Sequence, residues 1–279
     1  MTAPLFVSTQ WLADHIGHAD VSIVDASWYL PTMNRNGKSE YEEGHIPGAV
    51  FFDIDAIADK TTSLPHMMPR PDDFARAVGA MGISDQDHII VYDGAGLFAA
   101  ARVWWTFTTM GAQRVSILEG GAPRWKIEAR AWSNAKSNPT PKTFKTNLDA
   151  AAIADLEAIK AALKTKSAQI VDARPADRFR GEAPEPRPGL KSGHMPGSFN
   201  VQFGDVVANG TLKNESDLRA AFKKAGVDID QPIITSCGSG VSAAILALAL
   251  QSIGKPIHAL YDGSWAEWGA RDDCEVVKG

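Results

Sequence analysis

Ile233-Ile234-Thr235-Ser236-Cys237-Gly238-Ser239-Gly240-Val241-Ser242-Ala243 reads as a strand, a tight loop and the start of a helix. A short β-branched run stops at a cysteine, and small residues then turn the chain. An Ala/Leu-rich stretch continues to about Ile253, where Gly254 and Pro256 stop it. In such a unit the thiol sits at the carboxyl end of the strand and beneath a helix N-terminus. Backbone N–H groups and the positive end of the helix dipole converge there on an anion. That setting lowers a thiol pKa from its usual value of about 8.5 and makes thiolate available at neutral pH. The plainer alternative is a small buried hydrophobe closing a strand. The two glycines, which let amides turn toward the sulfur, favour the reactive reading.

Outward from this loop the chain repeats itself. Ser22-Ile23-Val24-Asp25-Ala26 returns 147 residues later as Gln169-Ile170-Val171-Asp172-Ala173. Gly44-His45-Ile46-Pro47-Gly48 returns as Gly193-His194-Met195-Pro196-Gly197. His88 to Gly96 matches Pro232 to Gly240, with Asp93 in the place of Cys237, and Glu119-Gly120-Gly121 through Trp125 matches Asp262-Gly263-Ser264 through Trp268. Four blocks in the same order at nearly one spacing indicate a tandem duplication.

Each half alternates β-branched runs (Val21–Val24, Ile89–Tyr92, Val115–Leu118; Ile170–Val171, Ile233–Thr235, Ile257–Leu260) with helical patterns. The latter are Asp72–Met81, Phe98–Met110, Ile153–Leu163, Glu215–Lys224 and Val241–Ile253. This predicts an α/β fold of two tandem domains, each a mostly parallel sheet flanked by helices. The expected division is 1–132, a polar, Pro-punctuated linker over 133–150, and 151–279. In such sheets ligands bind beyond the carboxyl ends of the strands, where Cys237 falls. The first half, with Asp93, should be chemically silent there.

Composition narrows the class. At 279 residues, 44% apolar and 22% charged, the chain has the make-up of a globular protein, and its net charge of −5 gives no reason to expect nucleic acid as a partner. Cys237 and Cys274 are too few for a disulfide framework and suit a reducing compartment. Met1 to Val7 lacks a secretory pattern, and the longest apolar run, Ala243 to Leu250, is too short to span a bilayer. A cytoplasmic protein with no membrane association is expected.

The loop also narrows the chemistry. A cysteine phosphatase needs an Arg to close its loop on phosphate, and none lies between Gly238 and Ala243. A cysteine protease needs a paired histidine and oxyanion hole on another scaffold. A two-cysteine redox motif is absent. What remains is a thiolate among neutral amides, suited to attack on a soft electrophile such as sulfur. A sensor thiol and a non-catalytic binding module remain alternatives; the module would lack a nucleophile, as the first half does at Asp93.

Cys237-Gly238-Ser239-Gly240-Val241-Ser242-Ala243, the two Gly-His-X-Pro-Gly blocks and Tyr261-Asp262-Gly263-Ser264-Trp265 together resemble the two-domain rhodanese superfamily, from about Leu5 to Asp272. The resemblance implies two rhodanese-like domains and a sulfurtransferase that forms a persulfide on Cys237. Rhodaneses that use thiosulfate carry basic side chains after the cysteine. Uncharged Gly238 and Ser239 point instead to 3-mercaptopyruvate as donor, with pyruvate released and a thiol or cyanide as acceptor. The acceptor thiol can be a small molecule or a thioredoxin-like protein, and thiosulfate:cyanide sulfurtransfer is the alternative activity. Where the family motif has Thr, Ser242 keeps the hydroxyl.

The same resemblance implies residue roles. Asp177 to Arg187 holds three arginines in a Pro-rich segment that by itself reads equally as a solvated loop. The family places substrate-binding arginines at Arg178 and Arg187; Arg180 is expected to be structural. Gly238, Ser239, Gly240, Val241, Ser242 and Ala243 form the persulfide-holding loop. A Ser–His–Asp relay proposed for the mercaptopyruvate branch maps to Ser239, His66 and Asp55, which implies an active site between the domains. His66 reads alternatively as a packed loop residue.

Other polar residues carry plainer readings. His45 and His194 recur in both halves while the cysteine does not, so both are expected to be structural, as are Asp25 and Asp172. No cluster has metal-ligand spacing, and neither metal nor cofactor is expected. The eight tryptophans read as core and interface filler. Cys274 is expected to be an exposed, incidental thiol.

Overall fold

A computed structural model of the protein describes residues 3–279. Met1 and Thr2, the expected start of the first domain, lie outside the described residues. The chain divides into two compact units. Unit 1 contains the chain up to Asp59, Met68–Asp149 and Asn209–Thr211. Unit 2 contains Lys60–Met67, Ala150–Ala208 and Leu212–Gly279. Residues 60–67 are thus part of unit 2, although they precede most of it in sequence.

Unit 1 is built on strands β1 (Phe6–Val7), β2 (Val21–Asp25), β3 (Val50–Phe51), β4 (His88–Tyr92) and β5 (Arg114–Leu118), in the order β1-β5-β4-β2-β3. Every pairing in this sheet is parallel. Helices α1 (Thr9–His15), α2 (Gly37–Glu43), α3 (Pro71–Ala80), α4 (Ala99–Thr109) and α5 (Gly121–Ile127) accompany it. β4 is buried along its whole length, as a central parallel strand covered on both faces must be.

Unit 2 repeats the plan with β6 (Ile153–Ala154), β7 (Gln169–Asp172), β8 (Phe199–Asn200), β11 (Ile233–Ser236) and β12 (Ala259–Tyr261), ordered β6-β12-β11-β7-β8 and again parallel throughout. A separate ribbon pairs β9 (Val207–Ala208) with β10 (Thr211–Leu212). The helices are α6 (Leu156–Thr165), α7 (Ala176–Phe179), α8 (Phe203–Val206), α9 (Glu215–Lys224), α10 (Ala243–Ser252) and α11 (Ser264–Trp268). The strand order in the two sheets is the same, strand for strand, as duplication requires. Helix α10 is apolar on all sides and buried from Ala243 to Leu250.

Several expectations change. The helical pattern placed at Ile153–Leu163 starts later. Ile153 and Ala154 pair with Leu260 and Tyr261, and Asp155 caps α6 by accepting the Ala158 N–H at 2.8 Å. Cys274 is not exposed: it is buried against Tyr261, Trp265 and Trp268. Burial, reinforced by the Asp273 carboxylate, pushes its thiol pKa up, away from reactivity.

The segment after Ser133 belongs to unit 1 and is laced onto it. Phe144 is buried beside Phe74 and Phe107, at ring-centroid distances of 5.3 and 6.1 Å. The Lys145 N–H donates to Asp85 at 2.9 Å. The two recurring histidines do the same work in each unit. His45 exchanges backbone hydrogen bonds with Ser133 and stacks on Tyr41; His194 exchanges them with Val277 and stacks on Phe179. Each ties the chain beyond the last helix of its unit back to that unit. Among the described residues, no helix is long and apolar enough to cross a membrane.

Candidate active site

Cys237 follows directly on β11, and five residues separate it from the first turn of α10. Its thiol is buried, with the residue 2% exposed. The loop's carbonyls are tied down on one side. The Trp265 N–H donates to the Cys237 carbonyl and the Ala266 N–H to the Gly238 carbonyl, both at 2.9 Å. The Cys237 N–H donates to Ser264 Oγ at 3.2 Å, and that hydroxyl donates to the Tyr261 carbonyl at 2.8 Å. In a trans peptide, C=O and the following N–H point in opposite directions. The N–H groups of Gly238 and Ser239 are therefore turned away from α11. Gly240 adopts φ +79°, a left-handed conformation open to glycine at no steric cost.

Unit 1 shows what such a loop does with a negative charge. At the place of Cys237, Asp93 is buried, and its carboxylate accepts the N–H groups of Ala95, Phe98 and Ala100 at 2.9, 2.7 and 2.8 Å. Burial raises the Asp93 pKa, and these backbone donors offset part of that rise. The Ala122 N–H donates to the Asp93 carbonyl at 3.0 Å, matching the Trp265–Cys237 bond. The first half holds its own anion in the loop and has no thiol there.

Both expected substrate arginines converge on the residue after the cysteine. A Cβ built on Gly238 would lie 3.4 Å from Arg178 Nη2 and 4.0 Å from Arg187 Nη1. Arg187 Nη2 also lies 3.3 Å from Ser239 Oγ, to which it donates, and 3.3 Å from His66 Nε2. A guanidinium can only donate, so in this arrangement Nε2 is the accepting nitrogen of the imidazole. His66 is buried and held at φ +61°, sparsely populated for a residue with a Cβ.

Unit 2 thus brings together Cys237, Ser239, His66, Arg178 and Arg187. Asp55 belongs to unit 1, where its carboxylate accepts the Trp28 indole N–H at 2.9 Å. Arg180 points to the surface in a bidentate pair with Glu182, clear of the loop.

Behind the loop lies a buried charge network that the sequence reading missed. Arg174, 1% exposed, donates to both oxygens of Asp172, to the Gly193 carbonyl and to Glu185 Oε1, with its guanidinium 4.0 Å from the centre of the Trp265 ring. Burial alone would lower the Arg174 pKa. The charges of Asp172 and Glu185 more than reverse this, and the net displacement is upward. Glu185 in turn binds Arg178 through Nε at 3.3 Å and through Nη2. One signal was present in the sequence: Asp172-Ala173-Arg174 aligns with Asp25-Ala26-Ser27, so only the cysteine-bearing half has the arginine. Among the described residues no group of three or more His, Cys, Asp or Glu is placed to hold a metal ion.

Fold, repeated loop and thiol position agree with the family profile of the rhodanese-like domain, which matches residues 8–128 and 155–271. The chain belongs to the rhodanese family, with two such domains in tandem. It is 45% identical over 277 residues to a 3-mercaptopyruvate sulfurtransferase of Escherichia coli (strain K12), covering 99% of each chain. It is 42% identical to a 3-mercaptopyruvate sulfurtransferase of Homo sapiens, covering 97% of this chain and 94% of that one. Its fold superposes with a TM-score of 0.84 on the crystal structure of an Escherichia coli 3-mercaptopyruvate sulfotransferase, at 42% identity and over 96% of this chain and 100% of that one.

Proposed function

We propose that the protein moves the sulfur of 3-mercaptopyruvate to a thiol or cyanide acceptor through a persulfide on Cys237. The observation that carries this reading is the convergence of Arg178 and Arg187 on Gly238, next to the thiol. Two planar cations there can clamp the donor carboxylate and aim its sulfur at Cys237.

The Cys237 thiolate attacks the donor sulfur. The C–S bond breaks, and its electron pair passes to C3 of the donor, giving the pyruvate enolate, which takes a proton at C3. Cys237 is left as a persulfide. The acceptor then attacks the outer sulfur, the S–S bond breaks, and the thiolate returns. Loop amides hold the persulfide anion, as those of unit 1 hold the Asp93 carboxylate. Ser239 supplies the proton to the enolate, and His66 restores it. Support for this last step is the single guanidinium of Arg187 that reaches both Ser239 and His66.

The uncharged loop after Cys237 favours a monoanionic donor over dianionic thiosulfate. We place the reaction in the cytoplasm, in keeping with two unbridged cysteines. Incubation with 3-mercaptopyruvate should release pyruvate and add one sulfur to the Cys237 peptide by mass spectrometry. If both products persist in Cys237→Ser, the mechanism is wrong. If thiosulfate exceeds 3-mercaptopyruvate in kcat/KM, the choice of donor is wrong.

A further inference from the structure

Glu185 uses both of its carboxylate oxygens on arginines. Oε1 accepts from Arg174 Nη1 at 2.8 Å and from Arg178 Nε at 3.3 Å, while Oε2 pairs with Arg178 Nη2. Its side chain is 1% exposed. Arg174 cannot drift, because Asp172, the Gly193 carbonyl and the Trp265 ring hold it from three sides. The carboxylate of Glu185 is thereby fixed, and it fixes Arg178, whose Nη2 faces Gly238. Arg178 itself is 15% exposed, so its guanidinium reaches the site while being anchored from behind.

The charges in this assembly are unequal. Arg174, Arg178 and Arg187 carry three positive charges, and Asp172 and Glu185 carry two negative ones. Loss of Glu185 would add one unit of positive charge beside the thiol, which favours a dianion over a monoanion. At partly buried separations such a change of one unit charge is worth an order of magnitude in relative binding.

We propose that Glu185, locked by Arg174, is a positioning and specificity-determining residue: it aims Arg178 at the donor carboxylate and sets the site's net charge for a monoanion over a dianion. This rests on the assignment of Arg178 to the donor carboxylate. In unit 1 Arg35 and Glu40 pair beside Gly94, the counterpart of Gly238, but Ser27 stands where Arg174 stands, so the Arg174 anchor is confined to the unit that has the thiol.

Two variants separate position from charge. Glu185→Gln removes the charge and keeps the side-chain length. The ratio of kcat/KM for thiosulfate to that for 3-mercaptopyruvate should rise about tenfold. Glu185→Asp keeps the charge but pulls the carboxylate back by one methylene. Its KM for 3-mercaptopyruvate should rise severalfold, with kcat within about twofold and the donor ratio at the wild-type value. A loss of packing alone would lower both donors together and leave the ratio unmoved in both variants. An unchanged ratio in folded Glu185→Gln overturns the proposal. If that variant does not fold, an unchanged KM in Glu185→Asp overturns it. Arg178→Ala serves as the control. If it leaves the KM for 3-mercaptopyruvate unchanged, the assignment of Arg178 fails. If it raises KM while Glu185→Gln keeps the wild-type ratio, the role of Glu185 alone fails.

Discussion

The carboxylate of Asp93 accepts the backbone N–H of Ala100 at 2.8 Å from the position that, in the second half of the chain, belongs to Cys237. Three amides of one loop close on a single buried anion. Replacing Asp93 by Ala strands those donors without water. At about 1–3 kcal/mol for a buried unsatisfied group, the variant should lose roughly 3 kcal/mol or more, read as a lower denaturation midpoint with kcat per folded molecule retained. Placing a thiol there should not create a second active site, because no counterpart of Arg174 stands behind it. The double variant Asp93→Cys/Cys237→Ser is expected to release no pyruvate. Release at a rate near wild type would show that the loop alone suffices.

Asp25 gives a pH prediction. Its homologue Asp172 is paired with Arg174; Asp25 has hydrogen bonds from Ser27 and Tyr92 but the Asp93 carboxylate nearby, and burial above all pushes its pKa up to about 6. The folded pKa lies above the unfolded value of about 3.9, so the folded state favours the protonated carboxyl. Its stabilising contribution is complete below about pH 4 and is lost as pH rises through about 6. Asp25→Asn, which mimics the protonated form, removes this loss. Between pH 4 and pH 7.5 the stability of Asp25→Asn relative to wild type should improve by about 2–3 kcal/mol, by chemical denaturation at each pH. A difference that stays flat across that range would contradict the raised pKa.

Most of the fold was legible because duplication doubled every signal. Strands such as β4 and β11 are continuous β-branched runs that no helix period explains. The two-residue strands β1, β3, β6 and β8 were not legible. Their pairing is settled by neighbours in the sheet, and two residues carry no periodicity of their own. At the site, the cysteine and its loop were readable as local sequence. Arg178 and Arg187 needed the family resemblance, since a Pro-rich basic segment reads equally as a solvated loop. Arg174, Glu185 and Ser264 escaped because their roles depend on burial against residues distant in sequence, a property that local composition does not contain. Cys274 was misjudged for the same reason: near a terminus and beside charged residues, it is nevertheless covered by the Trp265 cluster.

Arg187 stands between Ser239 and His66, and its shape matters as much as its charge. One nitrogen reaches both partners while the other faces Gly238. A lysine has one point donor on a flexible stem and cannot serve all three directions together. Arg187→Lys should therefore behave closer to Arg187→Ala than to wild type. We expect a loss of at least about tenfold in kcat/KM for 3-mercaptopyruvate in steady-state kinetics. Near-wild-type kinetics of Arg187→Lys would reduce the residue to a mere positive charge.

Ser264 supports the thiol from beneath. It occupies φ +49°, the same left-handed conformation that Gly121 adopts at φ +53° in unit 1, so a glycine would sit there with less strain. What the serine adds is its hydroxyl, which accepts the Cys237 N–H and donates to the Tyr261 carbonyl. Ser264→Ala keeps the strain and removes both bonds. Ser264→Gly relieves the strain and removes the same bonds. Stability should then fall in the order wild type, Ser264→Gly, Ser264→Ala, with the alanine variant down by about 1–3 kcal/mol. Function should not follow that order. Both variants leave the arginines untouched and release the backbone under Cys237 equally. Both should slow persulfide formation in single-turnover experiments by a similar factor, about fivefold, with the KM for 3-mercaptopyruvate little changed. If Ser264→Gly instead forms the persulfide as fast as wild type, the hydroxyl serves only to stabilise the turn, and the alignment of Cys237 comes from the bond between its carbonyl and the Trp265 N–H.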